Sequence, residues 1–160
     1  MHRACIHHRA GLWPGAKATA CITLDFDARH HRRIRLTTDQ GEDILLDLPK
    51  AVALTDGDAL QLDDGRLVKV TAAPERVVEV THKDRGDLIR LAWHLGNRHL
   101  ATEIGNQFLR IRPDHVIEEM LRNLGAELAS VEAPFQPEGG AYRDHVGHHQ
   151  HGDEHLHHDR

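Results

Sequence analysis

Apolar and polar positions alternate in short runs along the first half of the chain, and the period changes after residue 73. ATACITLDF, RRIRLTT and DILLDL alternate in part, as half-buried strands do, and polar clusters such as Asp39-Gln40-Gly41-Glu42 separate them. In LTDGDALQLDDGRLVKV the pair Asp64-Gly65 stands between LQL and LVKV, a strong hairpin signal. No amphipathic helix pattern occurs between Ala18 and Ala73. Residues 1–73 are therefore expected to form a small all-β N-terminal domain.

Beyond the break at Ala73-Pro74 the pattern predicts strand, helix, strand, strand, helix, strand. RVVEVTH (76–82) reads as a strand. Asp84 is placed to cap a helix, with Asp87 three residues on, and Leu88, Leu91, Ala92 and Leu95 recur at helical spacing up to Gly96, the expected stop. Leu100–Ile104 and Phe108–Ile111 read as short strands joined by Gly105-Asn106-Gln107. Pro113 suits the first turn of a second helix, whose apolar stripe is Val116, Ile117, Met120, Leu121 and Leu124, and Gly125 ends it. ELASVEA (127–133) reads as the last strand. This order is the split βαβ arrangement of ferredoxin-like domains, expected over residues 74–142. The fold class is thus α+β: a β-rich domain, a ferredoxin-like βαββαβ domain, and a polar tail over 143–160. PFQPEGGAYRD carries turn formers without periodicity and reads as a linker into that tail.

Composition narrows the function. The net charge is −5 with no long basic stripe, which argues against nucleic acid as the main partner. No stretch approaches the ~20 apolar residues of a membrane span, no signal-peptide pattern opens the chain, and two cysteines make no disulfide framework. A soluble cytoplasmic protein is expected. The anomaly is histidine, at 16 of 160 residues.

Seven of these lie in HVGHHQHGDEHLHHDR: His145, His148, His149, His151, His155, His157 and His158. Neutral imidazole suits Ni²⁺, Cu²⁺ and Zn²⁺, and spacings of one to four residues let a flexible segment wrap an ion. An expression tag is usually a bare run of six histidines, whereas Gly, Gln, Asp, Glu and Leu are interspersed here. In HLGNRH, His94 falls in the last turn of the first helix and His99 just beyond it. His115 lies one position before the second apolar stripe. Each of the three, taken alone, is compatible with a surface histidine. His2, His7 and His8 read as N-terminal decoration, and His30, His31 and His82 receive no role.

No H-E-x-x-H, Walker A, dinucleotide or G-x-S-x-G signature is present. The chain reads as a binding protein, not an enzyme. A metal-dependent hydrolase would need three fixed ligands beside a carboxylate base, and no such spacing occurs.

AWHLGNRHL (92–100), LRIRPDHVIEEMLRNLG (109–125) and APFQPEGGAY (133–142) together resemble the UreE family of urease accessory proteins, which are nickel metallochaperones. The resemblance implies a homodimer formed through the ferredoxin-like domain, with the option of a dimer of dimers. It implies that His99, the histidine of GNRH, is the principal Ni(II) ligand at the interface, and that His115 is similar to a peripheral metal position. Pro113 departs from relatives that carry a further histidine there. The implied cargo is Ni(II), with Zn(II) and Cu(II) as competitors, and the implied partners are the urease accessory GTPase and apo-urease. The tail becomes an accessory collector, and a flexible segment of its length spans roughly 20–24 Å. A general metal buffer that stores ions without delivering them is the alternative.

Overall fold

The computed structural model of the chain describes residues 1–139. Strands β1 (His2–His8), β2 (Ala18–Leu24), β3 (Arg33–Thr37), β4 (Asp43–Asp47), β5 (Ala59–Leu62) and β6 (Leu67–Ala72) form one sheet in the order β2-β6-β5-β1-β4-β3. Alternation drives it: Ile22 and Leu24, Ile44 and Leu46, and Val68 and Val70 point to one buried core. The Asp64-Gly65 hairpin forms as expected between β5 and β6, with Gly65 at φ 88°. The turn after β3 covers the outer edge of β2. Asp39 N–H donates to the Cys21 carbonyl (2.9 Å), while the Asp39 carboxylate accepts from Thr23 N–H (3.0 Å).

The amino-terminal segment corrects the expectation of loose decoration. β1 lies inside the sheet, parallel to β4 and antiparallel to β5, with a register shift between Ala4 and Ile6. His2 Nδ1 lies 2.7 Å from Asp63, His7 Nε2 2.7 Å from the buried Asp58, and His8 Nε2 2.8 Å from Gln61. HRACIHH conceals this strand because only Ala4 is fully buried and pairing on both sides substitutes for alternation.

The second domain contains β7 (Pro74–Thr81), α1 (Arg85–Asn97), β8 (Glu103–Ile104), β9 (Leu109–Ile111), α2 (His115–Asn123) and β10 (Glu127–Pro134). Its sheet order, β10-β7-β9-β8, and its element order are those of the expected βαββαβ domain. Val78, Val80, Leu109 and Ile111 of the sheet pack against Leu88, Leu91 and Leu95 of α1 and Leu121 of α2. On the opposite face Arg110 lies between Glu79 and Glu103 across three strands.

Several local expectations change. The strand expected at 100–104 is only Glu103–Ile104, because Leu100 closes the end of α1 and the Thr102 carbonyl accepts from Glu138 N–H instead (2.8 Å). α2 starts at His115, two residues after Pro113, with Asp114 as its cap. Its inward stripe is Ile117, Met120 and Leu121; Val116, beside the stripe at the helix start, is 72% exposed, and Leu124, at the C-cap, is 43% exposed.

The segment 135–139 is pinned and is no free linker. Phe135 is fully buried and its ring lies 5.1 Å from that of Phe26. The buried Arg29 guanidinium donates to the carbonyls of Phe135 and Leu54, and Gln136 Oε1 accepts from Asp56 N–H (2.9 Å). Phe26 N–H donates to Glu75 (2.8 Å) and Arg112 pairs with Asp27 (2.9 Å). These bonds join the two domains. None of the helices described is long and apolar enough to cross a membrane.

Candidate metal centre

Both helices of the second domain end in the same hydrogen-bond pattern, and His99 occupies the special position in one of them. At the end of α2, Gly125 N–H donates to Arg122 O (2.9 Å) and Ala126 N–H to Leu121 O (3.0 Å), with Gly125 at φ 86°. At the end of α1, His99 N–H donates to Gly96 O (3.0 Å) and Leu100 N–H to Leu95 O (3.2 Å). These paired bonds make a Schellman cap, whose terminal residue adopts the left-handed conformation that favours glycine. His99 adopts it at φ 57°, the one non-glycine residue with positive φ among the described residues. Gly96, the expected stop, lies inside the helix. A side chain in this region costs about 1–2 kcal/mol, and such strain is concentrated where function demands a particular placement.

The cap fixes where the imidazole goes. Leu95, four residues before His99, is fully buried, and Leu100, the residue after His99, packs against the same core. With both flanks held inside, His99 stands exposed between them. Arg98 reaches back to the His94 carbonyl (3.3 Å), and His94 itself is half-buried with its ring 5.2 Å from Trp93. The same helix exposes two large apolar residues one turn apart, Ile89 (63%) and Trp93 (64%).

His115 is the first residue of α2 and is exposed. Asp114 orders this start by accepting from Val116 N–H (3.0 Å) and Ile117 N–H (3.1 Å), and Glu118 accepts from Asp114 N–H (3.0 Å). Leu100, next to His99, and Asp114, next to His115, line one hollow of about 470 Å³ with Ala101, Ile111, Arg112 and Ile117. The fold thus brings the two histidine-bearing turns to one end of the domain. His145, His148, His149, His151, His155, His157 and His158 lie outside the described residues.

One group that sequence reasoning passed over is His2 with Asp63 and Asp64, whose ligand atoms lie within 4.8 Å of one another. His2 is hydrogen-bonded to Asp63, which holds that carboxyl below its ordinary pKa, and Asp64 is held low by Arg66. An ion-pair network accounts for the group. The hairpin signal at Asp64-Gly65 was the available clue to its turn, while the pairing of β1 beside β5 was not readable.

Comparison with known proteins gives a consistent result. Residues 4–73 match the family model described as UreE urease accessory protein, N-terminal domain, and residues 75–159 match the corresponding C-terminal domain. The chain is 55% identical over 142 residues to a urease accessory protein UreE of Rhodopseudomonas palustris (strain HaA2), covering 89% of this chain and 66% of the relative. It is 52% identical to the UreE of Beijerinckia indica, covering 86% and 82%, and 48% identical to that of Agrobacterium fabrum, covering 92% and 91%. The chain therefore spans about two thirds of the first relative's length and most of the other two.

Proposed function

The chain belongs to the UreE family of urease accessory proteins, and from that premise we propose that it is a nickel metallochaperone, a carrier and not an enzyme, that serves urease maturation. The observation that supports this reading best is the exposed imidazole of His99, held at a left-handed helix cap between the buried Leu95 and the partly buried Leu100. A single histidine leaves most of a metal's coordination sphere open. A second copy of the chain brought together over the exposed Trp93 and Ile89 would supply a second His99, and tail histidines would supply further ligands. Ligands of that kind exchange stepwise, which lets an ion bind and then leave. His115 is proposed as a secondary position at the same end of the domain.

Ligand type alone does not select nickel, since Cu²⁺ binds imidazole more tightly and Zn²⁺ comparably. Metal supply and the receiving partners, proposed to be the urease accessory GTPase and apo-urease, set the choice. Two tails near one axis raise the local imidazole concentration to about the millimolar range. The proposed domain limits are 1–73 and 74–142, with the tail at 143–160.

Calorimetric nickel titration tests the assignment. His99→Ala is expected to remove the tightest site per dimer, and deletion of residues 145–160 to lower the number of bound ions while keeping that site. A tight site that survives His99→Ala refutes the role of His99. Transfer of nickel from the loaded protein to apo-urease distinguishes delivery from storage.

A further inference from the structure

His99 keeps a backbone conformation that costs energy, and such a conformation persists only where its surroundings over-determine it. The cap bonds of α1 hold the near side of the turn. The far side differs between the two helices of the second domain. Beyond Gly125 the chain enters β10 at once, and Glu127 is already paired with Thr81 of β7. Beyond His99 the chain runs through Leu100, Ala101 and Thr102 before a strand begins, and that strand, β8, is two residues long. The strained turn thus has the weaker support from the sheet, and a further contact must hold it.

Thr102 supplies that contact. It is one of four buried polar or charged side chains among the described residues, with Arg29, Thr38 and Asp58. A buried hydroxyl needs a partner, and Thr102 Oγ1 donates to the Leu100 carbonyl (3.1 Å). Leu100 N–H is already bound to the Leu95 carbonyl (3.2 Å). Leu100 is therefore held through both of its peptide groups, directly after the left-handed residue. Thr102 is fixed in turn from outside, since its own carbonyl accepts from Glu138 N–H (2.8 Å) in the strap 135–139.

We propose that Thr102 is a positioning residue for the metal centre: its hydroxyl locks Leu100 and so keeps the His99 turn closed, with the imidazole outside. The bond from Glu138 makes the strap part of the same lock. Thr102 itself touches no ion, and its contribution is preorganisation. A turn that is already closed needs no ordering when an ion binds, whereas a loose turn must be ordered at some loss of affinity. This role rests on the nickel reading of His99.

Two variants of the full chain separate the hydroxyl from the shape of the side chain. Thr102→Val keeps the branched shape and loses the donor, while Thr102→Ser keeps the donor. Val77→Ala controls for stability alone, because Val77 is fully buried but lies outside the core beneath the helices. Before any metal is added, nuclear Overhauser spectra read the turn. The amide and Hα protons of a left-handed residue lie unusually close, so residue 99 gives a strong intraresidue cross-peak. That peak is expected to weaken in Thr102→Val and to persist in Thr102→Ser and Val77→Ala. Calorimetric nickel titration should then find the tightest site about 3–10-fold weaker in Thr102→Val, the equivalent of one hydrogen bond, and unchanged in the other two. An undiminished cross-peak in Thr102→Val overturns the proposal. So does an affinity that falls as far in Val77→Ala or Thr102→Ser, which would make the loss one of stability or of volume. His99→Ala in the same series keeps the two readings apart. If His99→Ala loses the tight site while Thr102→Val binds as wild type does, the positioning role fails and the nickel reading stands. If His99→Ala retains the tight site, the nickel reading fails and the positioning role falls with it.

Discussion

His99→Gly should remove the imidazole and stabilise the metal-free protein in one step. His99 sits at φ 57° in a cap that its counterpart Gly125 fills at φ 86°. A Cβ in the left-handed region costs about 1–2 kcal/mol, and glycine relieves that cost. Against this, glycine adds freedom to the unfolded chain, worth about 0.4–1 kcal/mol. His99→Ala keeps the Cβ and so keeps the strain, while losing the same ligand. The two variants differ in backbone freedom alone, and His99→Gly should exceed His99→Ala in stability by about 0.5–1 kcal/mol. For a chain of this size, 1 kcal/mol moves the melting midpoint by roughly 2–4 °C. Thermal and urea unfolding of the metal-free proteins reads the difference, and nickel titration should find both variants without the tightest site. If the two variants melt together, or His99→Gly melts lower, the cap is not strained and the structural argument for His99 fails.

The complementary change, Gly125→Ala, should destabilise by about 1–2 kcal/mol, since it imposes the left-handed penalty and sets a Cβ 3.1 Å from His82 Nε2. An unchanged melting curve would contradict it. Gly105→Ala would overlap the ring of Phe108, which stacks on Arg110 with the guanidinium 4.3 Å from its centroid. A loss of about 1–3 kcal/mol is expected by urea unfolding, and wild-type stability would show that the turn yields freely. Arg29→Met keeps an apolar stem but strips buried carbonyls of their donor. It should cost about 2–3 kcal/mol and split the calorimetric transition into separate domain steps, and a single unshifted transition would refute the clasp. Glu103 carries an oxygen that is buried without a hydrogen-bond partner among the described residues, and burial pushes its carboxyl pKa up despite Arg110 at 3.7 Å. A raised native pKa means that stability is lost as pH rises from the unfolded carboxylate value, near 4.3, through the native one. The melting advantage of Glu103→Gln over wild type should therefore grow from pH 4 to pH 7, and an advantage that shrinks over that range would reverse the sign of the argument.

What the sequence disclosed was local. Asp84 and Asp114 cap their helices through main-chain N–H groups three residues or fewer away, and the hairpin at Asp64-Gly65 depends on four residues. The order of strands and helices after Pro74 follows from periodicity within single elements, and it sufficed for the βαββαβ fold. What it concealed was held by distant partners. β1 is a strand because β4 and β5 flank it, through residues more than 35 positions away. Phe135 to Glu138 are fixed by Arg29, Asp56 and Thr102. Their turn-forming composition describes how that strap bends and is silent about what it touches.

The cap at His99 lies between these cases. Its hydrogen bonds are local, yet the sequence pattern points to a stop at Gly96, because glycine is the ordinary occupant of the left-handed position. The chain had a glycine available three residues too early and a histidine where the turn falls. Leucine spacing decides between them. Leu88, Leu91 and Leu95 lie at helical intervals on the core face, and Leu100 must return to that core. A Schellman turn sets the residue after its left-handed position in apolar contact with the residue four before that position. Leu95 and Leu100 satisfy that spacing with His99 as the left-handed residue, whereas a stop at Gly96 would set Asn97 in the place of Leu100. The core therefore selects the register and histidine bears the strain. A residue that glycine would relieve, exposed at the end of the domain where His115 also stands, adds nothing to the fold that glycine would not, and on that the proposed metal role of His99 rests.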